Sequence, residues 1–261
     1  MKVEEHFGKV YKWILKEIKE RPLVFQQVDP PELKAEEISK IAKIAEEAGL
    51  AAFAVGGSVG AQGELLDNTI KILKENSELP VILFPGNIAT LSRYADAIYY
   101  MYMMNSDDPY WISGAQIAAS MPVKKMQLEV IPTAYVIVEP GRAAGWIGKA
   151  RVIPRNIPYL AAVTALGAQY MGAHLVILES GGGAAEPAPA EMIKATKELI
   201  DIPLVVAGGV RKEEYAERCT KAGADILHVG TAIEKVKGDV NKAKEIISKL
   251  VKAAERGRAQ Q

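Results

Sequence analysis

Eight short apolar runs recur along this chain, several of them continuous rather than alternating, with amphipathic stretches between most of them. LAAFAV, PVILF, HLVIL and IPLVV keep no polar face for water, the pattern of strands buried on both sides of a parallel sheet. The runs lie near residues 23–28, 51–55, 80–84, 97–101, 127–138, 174–178, 203–206 and 225–229. Between them, Ile38, Ile41, Ala42 and Ala45 share one helical face, and Leu66, Ile70 and Leu73 a second. Met192, Ile193, Thr196, Leu199 and Ile200 form a third, and Ile246, Ile247, Leu250 and Val251 the last. Such alternation predicts a parallel α/β architecture. A length of 261 residues suits one (β/α)8 barrel, read here as a single domain over 1–261.

Three stretches depart from a regular barrel. Val3, Phe7, Val10, Ile14 and Ile18 recur at helical spacing before the first strand, predicting an extra N-terminal helix packed on the body. GNIATLSRYAD, after the third strand, is too short for a loop plus a crossover helix. A single helical turn is expected there, leaving that flank open, either as a groove for a long ligand or as a merely shortened connection. The segment EPGRAAGWIGKARVIPRNIP after the fifth strand reads as a long loop without secondary structure, of the kind that carries function or interface. Trp146 within it is either a subunit anchor or a residue packed on its own loop.

Charge narrows the partners. The 32 basic residues balance the 32 acidic ones, so no global field favours nucleic acid or an anionic membrane. An anionic ligand is then expected to be held by local dipoles and a metal ion. Cys219 is the sole cysteine, excluding an intrachain disulfide; with no signal peptide in view, a cytoplasmic location is expected. Its surroundings, RKEEYAERCTKAG, read as a packed helix position. No apolar run approaches the roughly 20 residues of a membrane span.

Polar signals cluster where strands end. They are Asp29 after LVFQQV, Gly57-Ser58 after AAFAV, Glu179 with Gly181-Gly182-Gly183 after HLVIL, Gly208-Gly209 after IPLVVA, and Gly230-Thr231 after DILHV. In a parallel barrel these positions converge on one rim, and the loops after the last two strands are where such barrels grip phosphate. Backbone N–H groups of Gly208, Gly209 and Gly230, with the Thr231 hydroxyl, suit an anion, aided by the helix expected near Arg211. Asp29 and Ser58 offer hard oxygen ligands for a Mg²⁺ that arrives with a di- or triphosphate; Asp29 alternatively caps the following helix. Glu179 is placed to take a proton from a substrate hydroxyl, to orient it, or only to tie down its own glycine loop. His6 and His174 fall on the wrong elements for catalysis, and His228 reads as packed.

The motifs together resemble the geranylgeranylglyceryl phosphate synthase family, in its larger archaeal-type group. VDPPE, VGGS, ELLDNTIKILKEN, ILFPGN, SRYADAIYYM, NSDDPYWISGAQ, VKKM, VEPGRAAGWIG, PRNIP, LESGGGA, PAEMI, AGGVR and VGTAIE follow in the family's order. The resemblance implies a modified barrel and Mg²⁺-dependent transfer of geranylgeranyl from its diphosphate to the 3-hydroxyl of sn-glycerol 1-phosphate. It implies that Asp29 and Ser58 are the metal positions. It places the glycerol phosphate contacts at Ile177, Leu178, Glu179, Ser180, Gly181, Gly182, Gly183, Gly208, Gly209, Gly230 and Thr231, with Glu179 handling the nucleophilic hydroxyl. It also implies a homo-oligomer, dimer or hexamer, for which Trp146 is the candidate contact; a lipid product would bring at most peripheral association with membrane.

Departures from the family pattern are local. Its Tyr-Leu-Glu-Ala-Gly-Ser-Gly loop stands here as Ile177-Leu178-Glu179-Ser180-Gly181-Gly182-Gly183, so hydroxyls are missing at 177 and 182, with Ser180 as a possible substitute. Val24 replaces a common histidine, and Gln26-Gln27 replace aliphatics. The alternatives are a heptaprenylglyceryl phosphate synthase-like enzyme, a non-catalytic phosphate-binding or structural relative, and a sugar-phosphate isomerase.

Overall fold

Eight parallel strands close on themselves in sequence order. They are β1 (Leu23–Val28), β2 (Ala52–Val55), β3 (Val81–Leu83), β4 (Ala97–Met103), β5 (Glu129–Ile137), β6 (Leu175–Glu179), β7 (Leu204–Ala207) and β8 (Ile226–Val229). Phe25 marks the closure, in register with Ala52 of β2 on one side and His228 of β8 on the other. The structure is a computed structural model that describes residues 7–230 and 239–261. Outside the strands run α2 (Ala35–Ala45), α3 (Gly63–Asn76), α4 (Ala115–Met126), α5 (Arg142–Ile147), α6 (Pro158–Tyr170), α7 (Ala190–Leu199), α8 (Glu213–Lys221) and α9 (Val240–Arg258). The expected barrel is therefore the observed one.

Alternation along each strand sorts the core into two layers. Phe25, Ile82, Tyr99, Ile131, Tyr135, Ile177, Val205 and Ile226 point inward and fill the barrel. Val24, Phe53, Leu83, Val136, Val176, Leu178, Val206 and Leu227 point outward against the helices, where they meet Ile38, Leu66, Ile70, Leu73, Met192, Ile247 and Leu250. Both faces are apolar, which is why the strands read as unbroken runs. Leu199 is the exception among the expected helix-face residues, being 40% exposed.

The first helix, α1 (Lys9–Glu20), closes the barrel floor. Its buried Ile14 joins the interior layer, and Trp13 stacks on Phe25. Glu129, at the start of β5, accepts hydrogen bonds from the Val10 and Tyr11 amides at 2.8 and 2.7 Å. A carboxylate there satisfies orphan donors and complements the helix dipole. The Tyr11 hydroxyl donates to the His174 carbonyl at 2.6 Å and stacks on its ring, so His174 belongs to the floor. Val3 and His6 lie outside the described residues.

Two expectations need correction. No helical turn forms between β3 and β4; the chain crosses in bends and turns, with Asn87 accepting the Thr90 amide at 3.1 Å. Thirteen residues also have to pass Pro85 and Gly86, leaving too little chain for a helix that packs on the sheet. The segment after β5, expected to be irregular, winds into α5. Trp146 on α5 is 84% exposed, so it is not packed on its own loop.

Candidate active site

The strand ends bring the sequence-identified residues to one mouth. A cavity of about 350 Å³ is lined by Asp29, Ser58, Gly182, Gly183, Gly208, Gly209 and Gly230, together with Gln27, Arg211 and His228. A second cavity of about 190 Å³ adjoins it and shares Gln27, Asp29, Ser58 and Gly182. This one is mainly apolar. It runs past Phe84, Tyr99, Met101 and Met103, then between the helix-free β3–β4 connection (Pro85, Gly86, Ile88, Leu91) and Trp111, Gln116 and Ala119. The missing helix therefore leaves a groove. Its far wall is held by a π-helical turn, Tyr110–Gly114, leading into α4. The Tyr100 hydroxyl donates to the Gln116 backbone carbonyl, and the Gln116 side-chain Nε2 donates to the Met101 carbonyl.

Glu179 ends β6 on its inward face, lines the groove cavity and is only 4% exposed. The Gly181 amide donates to its Oε1 at 2.6 Å, and the Tyr135 hydroxyl donates to its Oε2 at 3.1 Å. Burial pushes its carboxyl up to about 7, only partly offset by those two hydrogen bonds. A carboxylate poised near neutrality can exchange a proton with a hydroxyl beside it. Gly208, with φ +77°, allows the close approach of the next loop: a Cβ there would come within 2.4 Å of Glu179 Oε1.

Asp29 sits across the mouth. Its side chain makes no cap hydrogen bond to the following 3-10 turn, Pro30–Glu32, so the capping alternative is not what the carboxylate does. It lies over the Gly57 backbone instead, where a Cβ would fall 2.4 Å from both carboxylate oxygens. Its Oδ1 is buried without a hydrogen-bond partner among the described residues. Burial first, and the charge of Glu32 second, push its carboxyl up to about 6. A half-buried carboxylate with one unpartnered buried oxygen, lining the same cavity as Ser58, fits a cation. No group of three His, Cys, Asp or Glu side chains forms a metal cage among the described residues. The donor set therefore suits a cation that brings phosphate oxygens with it.

Other members of the 177–183 segment are placed differently. Ile177 is buried inside the barrel beside Tyr135, with which it is in register. Leu178 turns outward into the helix-facing layer, as period-two alternation requires. Ser180 is fully buried, its Oγ has no partner among the described residues, and it lines neither cavity. It is thus no substitute for the missing hydroxyls. Thr231 lies outside the described residues. His228 is packed between Phe25 and Tyr99, its Nε2 3.2 Å from the Tyr99 hydroxyl. Burial lowers its pKa to about 3, so it stays neutral. Cys219 is buried and its thiol is pushed up to about 12, consistent with packing. The helix expected near Arg211 begins at Glu213.

Sequence reading missed Tyr135, Gln27 and Arg211. Gln27 was noted only as an oddity of β1, although its place one residue inside the Val28-Asp29 strand end signals an inward-facing polar group. Tyr135 offers no local signal, since its role depends on strand register.

A closed parallel barrel whose mouth joins a glycine-lined polar cavity to a mainly apolar groove, with the buried Glu179 and half-buried Asp29 carboxylates at their junction, defines a (β/α)8 barrel with a two-part pocket on one rim. The chain belongs to the PcrB family, whose model matches residues 15–251. It is 50% identical over 234 residues to geranylgeranylglyceryl phosphate synthase of Pyrococcus horikoshii, covering 90% of this chain and 92% of that protein. To the protein of the same name from Methanothermobacter thermautotrophicus it is 42% identical over 247 residues, covering 95% and 98%. The crystal structure of (S)-3-O-geranylgeranylglyceryl phosphate synthase from Thermoplasma acidophilum, in complex with its substrate sn-glycerol-1-phosphate, superposes with a TM-score of 0.90 at 33% identity, covering 95% of this chain and 99% of that one.

Proposed function

We propose that this chain is a Mg²⁺-dependent prenyltransferase that joins geranylgeranyl diphosphate to the 3-hydroxyl of sn-glycerol 1-phosphate. The observation that carries this reading is the shared boundary of the two cavities. Asp29, Ser58 and Gly182 border both the anion cavity and the apolar groove, and Glu179 lies beside that boundary. The relatives' names, and the sn-glycerol-1-phosphate bound to one of them, support the geranylgeranyl transfer and its acceptor.

In this reading the backbone of Gly208, Gly209, Gly183 and Gly230 holds the glycerol phosphate, with Arg211 adding charge. The prenyl chain lies along Phe84, Ile98, Trp111 and Ala119. Glu179 orients the 3-hydroxyl and accepts its proton as that oxygen bonds to C1 of the prenyl group and the bond from C1 to the diphosphate breaks. Asp29 and Ser58 would hold Mg²⁺, which would supply charge neutralisation for the leaving diphosphate. Tyr135 keeps the Glu179 carboxylate turned to the mouth.

The reading includes a cytoplasmic homo-oligomer, dimer or hexamer, with Trp146 at its contact, that touches membrane only peripherally. No helix among the described residues is long and apolar enough to cross a membrane.

The test is direct. Labelled sn-glycerol 1-phosphate, Mg²⁺ and prenyl diphosphates of graded length should yield an acid-stable ether product, best with the 20-carbon donor. Preference for a 35-carbon donor would indicate the heptaprenyl alternative, and no product with any donor would overturn the enzyme reading.

A further inference from the structure

Three non-glycine residues among those described adopt a left-handed backbone: Gln127 (φ 58°), Arg142 (φ 48°) and Lys149 (φ 48°). Two have local reasons. Gln127 terminates α4, and the Lys149 ammonium is held 2.8 Å from Asp108. Arg142 opens α5, its amide donating to the Pro140 carbonyl at 2.8 Å, and its exposed side chain makes no hydrogen bond or ion pair among the described residues. Left-handed strain at a bulky residue persists where its surroundings or its function require it.

The side chain of Arg142 does have a definite place. A Cβ on Gly181 would meet Arg142 Cβ and Cγ at 2.5 and 2.6 Å, and one on Gly183 would stand 3.7 Å from Arg142 Nη2. The arginine thus runs along the glycine loop and ends its guanidinium beside Gly183; Arg142 itself stands at the edge of the cavity, outside its lining, whereas Gly183 and the adjacent Ala143 line it. The chain has no net charge to attract an anion, and this loop lacks hydroxyls at 177 and 182.

We propose that Arg142 is a phosphate-binding residue of this protein, its guanidinium closing over the anion cavity beside Gly183 and donating hydrogen bonds to the phosphate of the glycerol substrate. The proposal rests on the functional reading above and assigns its phosphate subsite a charged donor. Arg211 approaches from the loop after β7 and Arg142 from the connection after β5, so a dianionic phosphate meets cations from two elements. A planar guanidinium gives paired donors to phosphate oxygens, which a lysine at this position would supply less well.

Arg142→Gly is the informative variant, because glycine adopts the same backbone without strain and leaves no cavity in the core. Its KM for glycerol phosphate should rise about tenfold, the loss of one charge-assisted contact, with Arg142→Lys in between. The inhibition constant of inorganic phosphate should rise in parallel, while KM for the prenyl diphosphate stays unchanged and the melting temperature does not fall. An unchanged glycerol phosphate KM, or a shift confined to the prenyl diphosphate, would overturn the assignment. Wild-type protein that neither turns over nor binds glycerol phosphate would instead refute the functional reading. Calorimetric titration with inorganic phosphate then still decides Arg142: weaker binding by Arg142→Gly supports it, and equal binding ends it.

Discussion

Tyr135 donates its hydroxyl to Glu179 Oε2 across 3.1 Å inside the barrel, so the residue read as proton acceptor is held by a strand neighbour rather than by its own loop alone. That bond opposes the effect of burial, favouring the charged carboxylate. Tyr135→Phe should therefore raise the Glu179 pKa further. The pH–rate profile, which should climb as Glu179 loses its proton near 7, should shift to higher pH, with KM values little changed. A profile that stays in place would remove Tyr135 from this role.

Glu179→Gln should cut kcat by about 10²–10⁴-fold while leaving glycerol phosphate binding nearly intact. Its effect on stability has a defined sign. The folded carboxyl titrates near 7 and the unfolded one near 4.5, so the protonated form is favoured by folding. Stability is full below the unfolded value and is lost as pH rises through 7. At pH 8 the Gln variant should thus be the more stable protein, by about 3 kcal/mol, and near pH 4 the advantage should vanish. Denaturant melts at both pH values read the difference.

Asp29→Asn should raise the Mg²⁺ concentration needed for half-maximal turnover and weaken use of the prenyl diphosphate, without a matching rise in the glycerol phosphate KM. A Mg²⁺ titration of initial rates checks it, and an unaltered dependence would contradict the assignment of Asp29.

Trp146→Ala should leave monomer stability within about 0.5 kcal/mol of wild type, because an indole so exposed is not part of the core. Light scattering should report a smaller particle. An unchanged mass would place the subunit contact elsewhere.

Much of the fold was legible because burial on both faces writes itself into parallel strands. LVFQQV, AAFAV, HLVIL and DILHV became β1, β2, β6 and β8 almost residue for residue. Strand ends were legible for the same reason, and Asp29, Ser58, Gly208 and Gly230 do share one cavity. What escaped was everything decided by side-chain direction and register. Leu178 sits in the right segment but faces the helices, and Ser180 is buried away from both cavities, whereas Tyr135, far away in sequence, faces Glu179. Arg142 was invisible because its import lies in a backbone angle that composition does not report. The absent helical turn after β3 escaped because a turn and a single helical coil have the same length and similar residues.

The flank between β3 and β4 lies apart from the glycine loops in the chain, and in the proposed reading it has a separate task. Its exposed connection borders the hydrocarbon groove yet carries neither Glu179 nor the glycine loops at 181–183 and 208–209. Substitutions at Ile88 or Leu91 can therefore retune which tail is admitted while the bond-making atoms stay where they are. The part that would measure the tail is thus set apart in the chain from the part that would hold the reacting oxygen.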